Sequence, residues 1–160
     1  MPENLKALTE RLLERGLKVA TAESCTAGLL AKLLTDAPGS SQWFERGFVT
    51  YSNAAKQEML GVPQKIIAQH GAVSEQTVTE MAQGALANSH ASVALAISGI
   101  AGPDGGTADK PVGTVWFAWL LAGAEAAREV ILFQGSRDAI RQQAAAHALQ
   151  GLLKYLALHS

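Results

Sequence analysis

Apolar positions return along this chain in two alternating rhythms. Leu5, Leu8 and Leu12 recur at helical spacing through ENLKALTERLLERG, and Gly16 stands where such a helix would end. LKVATAES predicts a short strand over residues 17–22, feeding a helix of small and apolar residues over 25–34. DAPGSS is a turn cluster, and FERGFVTYS carries a second strand over 48–51. Ser52 is a good N-cap for the next helix, which stops at Gly61 with Pro63 beyond it. A further helix is predicted over 63–69. Ser74 caps a long amphipathic one with Val78, Met81, Ala82 and Ala85 on one face. SVALAIS, residues 92–98, has the continuous apolar character of a strand buried on both faces. After a glycine-rich loop, TVWFAWLLA and residues 128–133 read as two strands paired through the AGAEA turn. Ser136 then caps a last helix with Ile140, Ala144, His147, Leu152 and Tyr155 at helical intervals. Helices interleaved with about five strands predict an α/β protein, three layers in the order α/β/α. The terminal hairpin makes the central sheet mixed.

Composition narrows the setting. The chain has 160 residues, 48% apolar, with 13 basic and 14 acidic side chains. That is enough for one domain over residues 1–160, and no internal repeat or linker divides it. Near-neutral charge offers no broad basic face, so nucleic acid is not an expected partner. The first residues are charged every few positions and lack the apolar centre of a signal peptide, and no apolar run reaches membrane length. With a single cysteine, these features point to the cytoplasm, with no membrane partner.

The chemistry concentrates at strand-to-helix junctions. Ser24 lies where the first strand gives way to a helix, a place where free backbone N–H groups gather at the carboxyl edge of a sheet. It is either a nucleophile with an oxyanion site at hand or simply an N-cap. Cys25 beside it is either a thiol activated at a helix N-terminus or a small packing residue. A serine nucleophile needs a base, and His70, His90, His147 and His159 are poorly placed for that role. None of them has metal-ligand spacing with a carboxylate, so no metal is expected. Lys56 begins the helix capped by Ser52. There the helix dipole and partial burial would both disfavour its ammonium form, unless it is a solvated surface lysine.

The loop 99–113, GIAGPDGGTADKPVG, follows Ser98. Gly99, Gly102, Gly105 and Gly106 free its backbone to approach an anion such as phosphate, with Thr107 and Lys110 alongside. It is neither a P-loop nor a dinucleotide fingerprint. The turn Gly39, Ser40 and Ser41 is a second candidate for phosphate. Arg46 is either a surface charge or a clamp on the ligand.

TAESCTAG, GSSQWFERGFVTYSNAAK, LGV, GAVSE, SGIAGPDGGTADKPVGTVWFA and RDAIRQQAAAHAL, in that order, resemble the CinA C-terminal domain family over residues 5–153. The resemblance implies a serine–lysine amidohydrolase, without metal or cofactor, acting on nicotinamide mononucleotide (NMN). The products would be nicotinate mononucleotide and ammonia, in pyridine-nucleotide recycling. On the matching positions Ser24 would be the nucleophile and Lys56 the base, with Tyr51 assisting or orienting them. Backbone near Cys25 and Thr26 would hold the oxyanion, and Glu23 would orient Lys56 or Thr26. The phosphate would rest on one of the two loops, with Arg46 or Lys110 as counter-charge. The resemblance also suggests a homo-oligomer, a dimer or larger. The family usually has glycine where this chain has Ala27. Two other readings remain open: Cys25 as nucleophile, and a nucleotide-binding or interaction module, linked to competence, that has lost catalysis.

Overall fold

A five-stranded sheet, ordered β2-β1-β3-β4-β5, separates two layers of helices in the computed structural model, which describes residues 3–160. The elements run α1 (Glu3–Arg15), β1 (Val19–Glu23), α2 (Leu29–Thr35), a single 3-10 turn (Ser40–Gln42) and β2 (Phe44–Val49). There follow α3 (Asn53–Leu60), α4 (Gln64–His70), α5 (Glu75–Ala87), β3 (Val93–Gly99), β4 (Thr114–Leu121), β5 (Ala127–Leu132) and α6 (Arg137–Leu158). Strands β1, β2 and β3 are parallel, whereas β4 and β5 are antiparallel additions, which gives the mixed α/β architecture expected from the sequence.

The two faces of the sheet are chemically different. Val19, Leu95, Ile97, Phe117 and Trp119 fill one face and pack on α1, α2 and α6 through Leu8, Leu12, Leu30, Leu34 and Leu152. The other face is nearly all alanine, with Ala20, Ala22, Ala94, Ala96 and Ala118 meeting Val78, Met81 and Ala85 of α5. Small side chains bring α5 close to the strands, and Gly84 brings it close to the end of α3. A Cβ at Gly84 would stand 2.0 Å from the carbonyl oxygen of Leu60.

Three capping serines act as read from the sequence: Ser52, Ser74 and Ser136 accept from the N–H groups of Ala55, Thr77 and Ala139. Two boundaries differ. Strand β2 covers Phe44–Val49 rather than 48–51, because pairing with β1 from Val19↔Phe44 onward recruits Arg46 and Gly47 past a bulge at Glu45, residues with little strand preference of their own. Helix α2 begins at Leu29 rather than at Cys25, because residues 24–28 form a turn in which Ala27 (φ 47) and Gly28 (φ 103) are left-handed. That turn carries the site.

Candidate active site

Strand β1 ends at Glu23, and the amide of Ser24 bonds to Ile97 O of β3 at 3.0 Å, which fixes the serine at the carboxyl edge of the sheet. Beside it the chain leaves β2 through Thr50, whose amide bonds to Glu23 O at 2.8 Å, and Ser52 starts α3. One turn into α3, Lys56 reaches back under the strand ends. Its Nζ lies 3.0 Å from Ser24 Oγ, 2.9 Å from Thr50 O and 3.1 Å from Tyr51 O. Two residues separated by α2, the 3-10 turn and β2 thus meet because parallel neighbours finish at the same edge.

Lys56 is 1% exposed, and among the described residues no carboxylate pairs with it. Burial without a counter-ion disfavours the ammonium, so its pKa falls from 10.5 to about 8. The three neighbours suit a neutral amine. Its two N–H groups can go to the carbonyls of Thr50 and Tyr51, which leaves the lone pair facing Ser24 Oγ. Ser24 itself, 7% exposed, also lies 3.4 Å from Tyr51 O.

Both side chains line a cavity of about 210 Å³ bounded by Cys25, Tyr51, Asn53, Ala72, Val73, Ser98, Gly99, Ala101 and Arg137. In the turn beside it, Ser24 N and Ala27 N are bonded to backbone carbonyls. The amides of Cys25 and Thr26 take no backbone acceptor among the described residues. Of the two, Cys25 lines the cavity, whereas Thr26 is fully buried and does not line it.

Cys25 is 5% exposed, packs in the core, and has its thiol pushed up to about 11 by burial. Burial thus favours the neutral thiol at neutral pH, which weighs against Cys25 as the nucleophile although it lines the cavity. Glu23 does not orient Lys56. Its carboxylate accepts from Thr26 Oγ1 at 2.7 Å and from the amides of Leu30 and Ala31 at 2.9 and 3.1 Å.

Tyr51 meets the pair through its backbone, not its ring. The side chain is 58% exposed, and its hydroxyl accepts from Arg137 at 3.3 Å. Arg137, first residue of α6, also donates to Gly102 O at 2.8 Å, so it bridges the 99–113 loop and Tyr51 at the cavity.

The sequence profile of the CinA C-terminal domain matches residues 3–156. The chain belongs to the CinA C-terminal domain family. The nicotinamide-nucleotide amidohydrolase PncC of Escherichia coli (strain K12) is 59% identical over 143 residues, 89% of this chain and 87% of that protein. A CinA-like protein of Akkermansia muciniphila is 54% identical over 92% of this chain, which spans 36% of that longer protein. Among solved structures, the competence damage-inducible protein A (ComA) from Klebsiella pneumoniae is similar with a TM-score of 0.93. It is 39% identical, over 97% of this chain and 96% of that one.

The glycine that the family resemblance implies at position 27 would have a physical cause. Ala27 sits at φ 47, where a Cβ is crowded and glycine is at ease. Other expected residues do not reach the site. Gly39, Ser40 and Ser41 precede β2, level with Val19 at the opening of β1. At about 3.3 Å per residue they lie at the opposite edge of the sheet from Ser24. Arg46 points the same way, held by Glu45 and Asn88 O. Of the long loop, Gly99 and Ala101 line the cavity and Ser98 precedes them, donating to Ala72 O at 2.8 Å. Gly105, Gly106, Thr107 and Lys110 do not line it. Thr107 and Lys110 close a turn on each other, and Lys110 Nζ caps α4 at His70 O. A Cβ at Gly102 or Gly106 would collide with Val112, so these glycines let the loop fold on itself. The sequence reading gave no part to Asn53, Arg137 or the carbonyl of Thr50. Arg137 opens the RDAIRQQ motif, and that was its one visible signal.

Proposed function

We propose that this chain is a nicotinamide-nucleotide amidohydrolase that works through a Ser24–Lys56 pair. The observation that carries the reading is the buried lysine, with no carboxylate partner, 3.0 Å from a serine hydroxyl. The 59% identity to the E. coli amidohydrolase PncC supports the substrate.

In this mechanism neutral Lys56 takes the Ser24 proton while Oγ attacks the carboxamide carbon of NMN. The amides of Cys25 and Thr26 hold the resulting oxyanion. Collapse breaks the C–N bond, the Lys56 ammonium returns its proton to the leaving nitrogen, and ammonia departs from a nicotinyl ester on Ser24. Water then attacks with Lys56 again as base. The second collapse releases the carboxylate product, and Ser24 recovers its proton. The carbonyls of Thr50 and Tyr51 hold the amine in place through both half-reactions.

We place the substrate phosphate on Arg137, a permanently charged side chain lining the cavity, with Asn53, Ser98 and Gly99 as polar neighbours. The domain spans residues 1–160, acts in the cytoplasm and assembles as a homo-oligomer, for which half-exposed Val130 and Leu132 on the edge strand β5 are the support. Incubation of the purified protein with NMN tests the assignment. Ammonia release by the wild type, and its loss by at least about a thousandfold in Ser24→Ala and Lys56→Ala, is expected. A folded wild type that binds NMN without releasing ammonia would support the interaction-module reading instead.

A further inference from the structure

Glu23 is a buried carboxylate outside the reacting pair. It is 1% exposed and does not line the cavity, yet its position in the hydrogen-bond network is central. A buried carboxyl group needs partners for its oxygens. Here three donors match them: Thr26 Oγ1, Leu30 N and Ala31 N. The last two belong to the first turn of α2, whose N–H groups have no carbonyl within the helix. The backbone carbonyl of Glu23 serves a second purpose. It accepts from Thr50 N at 2.8 Å and Thr50 Oγ1 at 3.3 Å, and Thr50 O is one of the two shelves under Lys56 Nζ.

One residue therefore lashes both ends of the turn 24–28, through its main chain at the start and its side chain at the finish. The turn needs such a restraint. The turn's own bonds, Ala27 N to Ser24 O and Leu29 N to Thr26 O at 3.1 Å each, have to hold two consecutive left-handed residues, and Ala27 is strained there. Between the two lashings lie Ser24 and the free amides of Cys25 and Thr26.

We propose that Glu23 is a positioning residue that holds the Ser24–Cys25–Thr26 turn in register with Lys56, with the Thr26 hydroxyl as the strut between carboxylate and turn. The proposal rests on the amidohydrolase reading above, and it concerns the geometry of the oxyanion donors rather than substrate affinity.

The test compares wild type with Glu23→Gln, Thr26→Val, Thr26→Ser and the double variant Glu23→Gln/Thr26→Val. All are verified as folded by circular dichroism and assayed well below their own Tm. Glutamine keeps the shape but turns a donor toward one of the amides. A shift of the donors by a fraction of an ångström predicts a kcat loss of about 30- to 100-fold in Glu23→Gln, with KM within about threefold. Thr26→Val loses about tenfold in kcat, and Thr26→Ser regains most of that loss. Because the two residues act as one strut, the double variant is no slower than Glu23→Gln by more than about threefold.

The same proteins are treated with a fluorophosphonate, which labels an activated serine and uses the oxyanion donors but needs no NMN. The labelling rates fall in the same order. If wild type labels but releases no ammonia from NMN, the amidohydrolase reading fails, and the labelling rates alone judge Glu23. The proposal is overturned if folded Glu23→Gln keeps kcat and labelling within about threefold of wild type, if its loss lies in KM alone, or if the double-variant losses multiply. Should Glu23→Gln fail to fold, unchanged kcat and labelling in Thr26→Val overturn it.

Discussion

The depressed basicity of Lys56 carries a sharp consequence for pH. With a pKa of about 8 in place of 10.5, about one lysine in ten is a free amine at pH 7, against about one in three thousand for an ordinary side chain. Burial thus raises the competent fraction by about 300-fold, which corresponds to about 3 kcal/mol withheld from stability while both folded and unfolded chains are protonated. The sign follows from the direction of the shift. Below pH 8 the full penalty is present. Between about 8 and 10.5 the folded chain sheds its proton first, and the penalty fades. For activity, kcat/KM for ammonia release from NMN should climb about tenfold per pH unit up to about 8 and level above it. For stability, the advantage of Lys56→Met over wild type in denaturant unfolding should shrink by about 3 kcal/mol between pH 8 and 10.5. A flat activity profile from pH 6 to 9, or an inflection in the imidazole range near about 6.5, would refute Lys56 as the base.

Three other outcomes are expected. Ala27→Gly should raise stability by up to about 1 kcal/mol, since relief of the left-handed strain exceeds the entropy that glycine adds to the unfolded chain, and urea melts would read it. A thiol reagent at pH 7 should modify Cys25 at least about a hundredfold more slowly than free cysteine until the protein is unfolded, because the thiol is buried and ionises only near pH 11. Arg137→Ala should raise KM for NMN by at least about tenfold, with a smaller effect on nicotinamide riboside, which lacks the phosphate. An equal effect on both substrates would remove Arg137 from the phosphate site.

Much of the fold was legible because it is written in local signals. Gly16, Ser52, Gly61, Ser74 and Ser136 mark helix ends through their own side chains or backbone freedom, and the structure uses each at the position read. The core strands β3 and β4 were legible for a related reason: a strand covered on both faces is a nearly continuous apolar run. Strand β2 was misplaced because an edge strand needs no such pattern, and partner β1 sets its register. The turn 24–28 was misread as helix for the opposite reason. The small residues after Ser24 carry no pattern that separates a turn from the first turn of a helix, and the left-handed pair Ala27 and Gly28 delays α2 to Leu29.

The sequence by itself determined which side chains are capable of the chemistry: one serine at a strand end, one lysine at a helix start, and a family motif around each. Only the tertiary structure decided what those groups are. Parallel strands ending at one edge bring Lys56 to Ser24, and burial beneath them disfavours its ammonium form. The same burial keeps the neighbouring thiol neutral. Chain direction also carries the GSS turn and Arg46 to the far edge, while α6 brings in Arg137 from more than eighty residues away. Distances of this kind follow from the order and direction of strands, which no short stretch of sequence encodes.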